Sequence, residues 1–310
     1  MEVREWALPV YTILMQVATG SLLSLWLIRW VAERRYGPAL AERMMRIPLL
    51  AILLTVVVAI AGSHFHLSRP YLSLLAVLNF RYSWLSREVV FTILFLLSLV
   101  GLSYLYWFGH DHGHGYRRLK TGLAWLGIGS GLVSVYCMAM IYLLPAQPMW
   151  HSPLTVVSFL VSVLVLGTTA VSVMIVMELK LSEIADVAQV APRRQIISRT
   201  FIWLAAAAGL AALTTLLINL LIIASLRQGD VSALISLDLL LGLYRPLLIL
   251  RYLTLFAGAG WFAVTAFLVY RSATRNLALT TPVYLSCLLV MISEILGRFL
   301  FYATHVRMGI

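Results

Sequence analysis

Long apolar runs recur along the whole chain, separated by short polar segments. Requiring roughly 20 mostly apolar residues per membrane crossing gives spans near residues 7–31, 47–67, 88–108, 121–144, 153–177, 200–226, 247–270 and 282–303. Prolines such as Pro70, Pro192 and Pro282 fall between or at the edges of these spans, where a turning backbone is tolerated. The pattern predicts an all-α integral membrane protein: a bundle of about eight transmembrane helices, forming a single polytopic domain over residues 1–310.

The composition supports the same fold class and excludes several others. Of the 310 residues 62% are hydrophobic and only 11% are charged, and the mean hydropathy is +0.94. This balance excludes soluble catalytic folds and nucleic-acid-binding modules. Both cysteines, Cys137 and Cys287, lie inside apolar stretches, so a disulfide framework, a zinc site and an iron–sulfur cluster in this chain are not expected.

The net charge of +11 is interpreted as a topology signal. Loops 32–46, 109–120, 178–199 and 271–281 hold thirteen Lys and Arg residues, whereas both chain ends and the other loops hold seven. Positively charged loops favour the cytoplasmic side. The sequence therefore predicts that both termini are extracytoplasmic, in the cytoplasmic (inner) membrane of a prokaryote.

The histidines lie away from the middle of every predicted span. Four of them, His64, His66, His151 and His305, are predicted at the outer membrane surface, and the other three belong to the loop sequence HDHGH at 110–114. A buried haem needs axial histidines within apolar spans, and no Cys-x-x-Cys-His motif is present. The glycine-bearing HDHGH loop favours a solvated segment over a metal site. We therefore expect no metal and no redox centre in this chain.

Ionisable residues inside spans are costly and are functional candidates by default. Glu88 opens the third span, Arg251 lies about one turn into the seventh, and Glu294 and Arg298 lie in the eighth. The spacing of Glu294 and Arg298 favours an ion pair on one helical face, either as a structural bridge or as part of a proton path. For Arg251 a snorkelling interfacial arginine is the main alternative to a functional role.

His66 and Glu88 are predicted to face each other across the outer rim, because one ends the second span and the other begins the third. A histidine and a carboxylate at a membrane surface can accept protons and pass them to water. Quinol oxidation requires such bases, since a quinol loses two protons with two electrons. The alternatives are interfacial anchoring for His66 and helix N-terminal charge complementarity for Glu88. Trp150 and His151 adjoin the same rim.

Four segments together resemble a known family. In chain order they are SHFHLSRP at 63–70, WLSRE at 84–88, WHSP at 150–153 and SEILGRFLFY at 293–302. In order and spacing they are similar to the membrane-anchor (C) subunit of anaerobic dimethyl sulfoxide reductases, across essentially the whole chain. The first segment departs from the family pattern, because Ser68 and Arg69 precede Pro70 and Leu72 stands where the family commonly has an arginine. Arg69 is the candidate for that displaced charge.

The resemblance implies a haem-free quinol dehydrogenase subunit of an oxidoreductase complex. Its partners would be an iron–sulfur subunit and a catalytic subunit with a molybdenum bis(pyranopterin) cofactor. His66 and Glu88 take the positions associated in that family with menaquinol binding and oxidation; Arg69, Trp150 and His151 are further quinol-binding candidates. We expect the quinol to enter a cleft between the second, third, fifth and eighth spans.

Two other functions fit the same pattern. A small secondary transporter would also have about eight spans, with Glu294, Arg298 and Arg251 as its coupling residues. A purely structural anchor would hold a soluble enzyme on the membrane without using His66 or Glu88. The clustering of polar groups at one rim, and not at the midplane, speaks against the transporter.

Overall fold

A bundle of long helices accounts for nearly all of the computed structural model. It describes residues 7–64, 75, 77–109, 113–185, 190–271 and 279–306, apart from the side chains of 184 and 185. The helices are α1 Ala7–Tyr36, α2 Pro38–His64, α3 Trp84–Trp107, α4 His114–Ile141, α5 Pro153–Ala185, α6 Val190–Leu226, α7 Val231–Asp238, α8 Arg245–Arg271 and α9 Thr280–Ala303. A single π-helical turn, Leu239–Leu243, follows α7.

The eight predicted spans are confirmed as the eight long apolar helices α1–α6, α8 and α9. Several begin earlier than their apolar stretch does: α2 at Pro38, α4 at His114 and α6 at Val190. These extra turns carry charged residues, which a search for apolar runs passes over although a helix continues through them. The short helix α7 was not predicted, because it is far below the length of a crossing.

The start of α1 and the end of α9 belong to the same end of the bundle. Thr12 at the start of α1 lies beside Tyr302 at the end of α9. We call this the terminal end and the opposite one, where α1 passes into α2 at Gly37, the loop end. Which end faces the cytoplasm stays a prediction from the charge count.

Helices α1 and α5 form the centre of the bundle and are its two most buried spans. Their backbones touch: a Cβ added at Gly167 would lie 2.2 Å from the carbonyl carbon of Gly20, and one added at Gly20 would lie 1.9 Å from the carbonyl oxygen of Val163. Small residues allow such close approach between membrane helices, where packing drives association. Beside this contact, the Gln16 side-chain amide donates to the Phe159 carbonyl at 3.1 Å.

Replacing Gly167 by alanine is expected to separate α1 from α5 and to destabilise the bundle by roughly 1–3 kcal/mol, the usual cost of overpacking. The measurement is the unfolding temperature of the detergent-solubilised chain. Gly209→Ala is the matched control, because a Cβ at Gly209 on α6 meets no neighbouring atom within 4 Å. Equal unfolding temperatures for the two variants would show that the α1–α5 contact does not limit stability.

Candidate functional site

The start of α3 is fixed by interactions from its own first turn. The Ser83 hydroxyl accepts a hydrogen bond from the Ser86 backbone N–H and caps the helix. The Arg87 guanidinium donates to the Phe80 carbonyl at 3.1 Å and the Arg81 carbonyl at 2.7 Å. Neighbouring positions of a helix point about 100° apart. With Arg87 directed at the preceding segment, Glu88 faces the interior.

Glu88 is buried and only 6% exposed, although it lies in the second turn of its helix. The hydroxyl of Tyr11 on α1 lies beside its carboxyl. That hydroxyl is 3.1 Å from the Thr92 hydroxyl, which is 2.9 Å from the hydroxyl of Ser134 on α4. A carboxyl group is thus joined to a row of three buried hydroxyls between α1, α3 and α4.

Trp150 belongs to an aromatic cluster at the same end of the bundle. Its indole N–H donates to the Phe301 carbonyl at 2.7 Å, and its ring stacks on that of His305 with 4.8 Å between ring centroids. The hydroxyls of Tyr142 and Tyr302 are 2.5 Å apart, and the Tyr142 ring packs edge-on against Trp150. Both tyrosines lie within electrostatic range of Glu88. The tyrosine pair therefore contacts Trp150 and is also electrostatically coupled to Glu88.

His151 next to Trp150 is exposed, and its backbone N–H donates to the Gln147 carbonyl. Its assignment to a quinol site stays a prediction. His66 and Arg69 lie outside the described residues, so their positions relative to Glu88 also stay predictions.

A second polar group surrounds a cavity of about 60 Å³ between α5, α6, α8 and α9. Arg251, Glu294 and Arg298 all line it, together with the polar side chains of Thr155, Ser158, Ser162, Thr215 and Asn219. A water needs about 10–15 Å³ measured in this way, so there is room for roughly four. Two buried atoms, Glu294 Oε1 and Arg251 Nε, have no hydrogen-bond partner in the described residues. Waters in the cavity would satisfy these two atoms.

The expected ion pair between Glu294 and Arg298 was wrong: within the described helices these two side chains form no salt bridge. Partners on α5 compete for both. The Ser162 hydroxyl donates to Glu294 at 2.6 Å, and the Arg298 guanidinium lies 3.6 Å from the centre of the Phe159 ring. A cation over a desolvated ring is stabilised by its π electrons.

The snorkelling alternative for Arg251 was also wrong. Its guanidinium turns inward, where it donates to Asn219 of α6 at 3.3 Å. It lies so close to α9 that a Cβ at Gly297 would be 2.7 Å from its central carbon. Because position 297 is a glycine, no side chain blocks the guanidinium there, and Arg251 reaches polar partners inside the bundle.

The expected cleft between the second, third, fifth and eighth spans omitted two of the walls around Glu88. The Tyr11 hydroxyl of α1 lies beside the carboxyl, and Thr92 links that hydroxyl to Ser134 of α4. Sequence reasoning also missed Tyr11, Thr92 and Ser134, the hydroxyl row itself. The only signal for them was a polar side chain in an apolar span, which is common for Ser, Thr and Tyr.

The eight long apolar helices found in the described residues define a multi-pass membrane protein. The chain belongs to the DMSO reductase anchor subunit (DmsC) family, which it matches over residues 1–304. It is also similar to the C subunit of the sulfite dehydrogenase of Allochromatium vinosum, with 31% identity over 156 residues. That alignment covers 48% of each chain, so the chain spans about half the length of the curated relative it matches. The family resemblance predicted from the four segments is confirmed.

Removing the Ser162 hydroxyl is expected to leave the buried Glu294 carboxyl without its protein donor and to cost roughly 1–3 kcal/mol of stability. The measurement is the unfolding temperature of the Ser162→Ala chain. Ser158→Ala is the matched control, since Ser158 lines the same cavity and donates only within its own helix, to the Thr155 carbonyl. A decrease of the same size in both variants would contradict a specific Ser162–Glu294 interaction.

Proposed function

We propose that this anchor subunit binds and oxidises a quinol, of the menaquinol class, at the terminal end of its bundle. The electrons pass to an iron–sulfur subunit and from there to a molybdopterin catalytic subunit. The observation that carries the proposal is Glu88, a carboxyl group buried at the start of α3 and joined to the hydroxyls of Tyr11, Thr92 and Ser134. Membership of an anchor-subunit family supports the partner assignment.

The groups around Glu88 suit a quinol hydroxyl. A carboxylate accepts hydrogen bonds from hydroxyl donors, and hydrogen bonds to a charged acceptor are the stronger kind. Glu88 can accept one from a quinol hydroxyl on one side while the Tyr11 hydroxyl holds it on the other. The cost of burying such a group inside a span argues for a function. Capping of a helix end does not require that burial.

In the proposed reaction Glu88 is the general base for one quinol hydroxyl and His66 holds the other. Quinol oxidation releases two protons and two electrons. Glu88 accepts one proton at a carboxyl oxygen and His66 accepts the other; both protons then pass to water, and the two electrons leave for the partner's iron–sulfur cluster. The hydroxyl row keeps the carboxyl oriented between turnovers, because Thr92 and Ser134 fix the Tyr11 hydroxyl.

In this proposal the chain holds no haem, and this decides where the electrons leave it. Without one, the partner's nearest cluster must approach the quinol directly, so the iron–sulfur subunit is placed against the terminal end. The segment before α3 presents large exposed apolar side chains there: Leu78 is 81% exposed and Tyr82 is 89% exposed. These side chains suit a docking surface. In the same proposal the chain lies in the inner membrane of a prokaryote, with its terminal end on the extracytoplasmic side.

Glu88→Gln is expected to reduce quinol oxidation by the purified complex by roughly 10²-fold or more, because the amide cannot accept the proton. The variant keeps the shape of the side chain, so the complex should still assemble. His66→Ala is expected to reduce the rate similarly. The measurement is the steady-state oxidation of a menaquinol analogue, with the partner subunits quantified in each preparation.

Asp238→Asn is the matched control, since Asp238 is an exposed carboxylate near the same end of the bundle. It should oxidise quinol at the wild-type rate. If Glu88→Gln and His66→Ala also retained that rate in an intact complex, the chain would be a purely structural anchor. If neither an iron–sulfur nor a catalytic partner co-purified, the transporter function would take precedence.

A further inference from the structure

A groove of about 930 Å³ opens at the loop end, far from the proposed quinol site. It lies between the last turns of α1, the first turns of α6 and the end of α8. Three arginines line it, Arg34 and Arg35 from α1 and Arg199 from α6. Three aromatic side chains complete it: Trp30, Trp203 and Tyr270.

The three arginines have no acidic partner in the described part of the chain, where the carboxylates at this end are paired elsewhere. Glu33 pairs with Arg29 and Arg117, Glu42 with Lys120, Glu178 with Arg193, and Glu183 with Lys180 and Arg194. In the part of the chain that the structure describes, no carboxylate lies within 4 Å of Arg34, Arg35 or Arg199. Among the described residues, the groove therefore holds three positive charges without a carboxylate partner.

The walls of the groove are organised by local contacts. The Arg34 guanidinium lies over the Trp30 ring at 4.1 Å, which keeps it along the groove. At the end of α1 the Tyr36 hydroxyl donates to the Gln195 side chain at 3.0 Å and fixes α1 against α6. Arg199 is one turn further along α6. The positive charges from two helices thus converge on one opening.

The aromatic residues locate the groove at a membrane interface. Trp30, Trp203 and Tyr270 are 50%, 70% and 56% exposed, and exposed Trp and Tyr at helix ends mark the headgroup level of the bilayer. An exposed apolar stripe continues along α6 from Trp203 toward the middle of the bundle; it consists of Leu210, Leu213 and Leu217. A molecule with an anionic head at the arginines and apolar chains along this stripe matches both features.

We propose that this groove binds an anionic phospholipid, with its phosphate at Arg34, Arg35 and Arg199 and its acyl chains along α6. Basic pockets between transmembrane helices bind such headgroups. The aromatic rings flank the glycerol region, and the bound lipid fastens α1 to α6 at the loop end. The site is independent of quinol chemistry, since every residue in it lies at the opposite end from Glu88.

The experiment is native mass spectrometry of the delipidated full chain titrated with phosphatidylglycerol or with phosphatidylcholine. Wild type should bind phosphatidylglycerol at least about tenfold more tightly, since each arginine near the surface contributes to the attraction. The triple variant Arg34→Ala, Arg35→Ala, Arg199→Ala should lose this preference. Replacing the same three residues by lysine should retain most of it.

The matched control replaces three exposed arginines at the terminal end by alanine: Arg81, Arg227 and Arg245. It changes the net charge equally and should keep the lipid preference. An equal loss in both triple variants, or no loss in either, overturns the proposal. Equally tight binding of free glycerol phosphate would also overturn the proposal, because it would indicate a site for soluble anions. The proposal is likewise overturned if a soluble partner protects the groove in the complex.

Unfolding temperatures measured without lipid show whether each variant is folded. If the triple variant is unstable, the single variant Arg199→Ala tests the site, and it is expected to bind phosphatidylglycerol more weakly than wild type.

Discussion

The contact between Gly20 and Gly167 brings the backbones of α1 and α5 together, and α2, α4, α6 and α9 all pack against this central pair. With α1 held at the centre, its first turns reach α3, α4 and the end of α9, so Tyr11 can meet both Glu88 and Thr92. The same packing places Phe159 of α5 under Arg298 and Ser162 beside Glu294. Both polar clusters at the terminal end therefore depend on how closely two apolar helices pack.

Charge is distributed between the two ends in different ways. At the loop end most of the described carboxylates form ion pairs, including the buried pair Glu178–Arg193 at 3.3 Å. At the terminal end Glu88 lies beside the Tyr11 hydroxyl, and Glu294 contacts a serine instead of its neighbouring arginine. A carboxylate in an ion pair is held by a fixed cationic partner, whereas a carboxylate among neutral donors can exchange a proton. This difference is the physical reason for assigning proton chemistry to the terminal end.

Hydropathy alone predicted the eight spans, because a bilayer requires long apolar helices. It did not predict that α1 is central, although α1 has the lowest hydropathy of the eight spans and carries the buried polar side chains of Gln16, Thr19 and Ser21. The spacing of Glu294 and Arg298 suggested an ion pair, yet spacing does not include competitors on another helix. Glu88 was found because a buried carboxylate is rare; Tyr11 was missed because a tyrosine in an apolar span is ordinary.

The central claim is that the quinol ring binds beside Glu88, between α1, α3 and α4. The most direct test is photo-crosslinking of the purified complex with an azido-naphthoquinone, followed by mass spectrometry of the labelled peptides. The proposal predicts labels in the first turns of α1 and α3 and the last turns of α4, all competed by menaquinone. Labels confined to the cavity around Arg251 and Glu294, or no competable label on this chain, would contradict it.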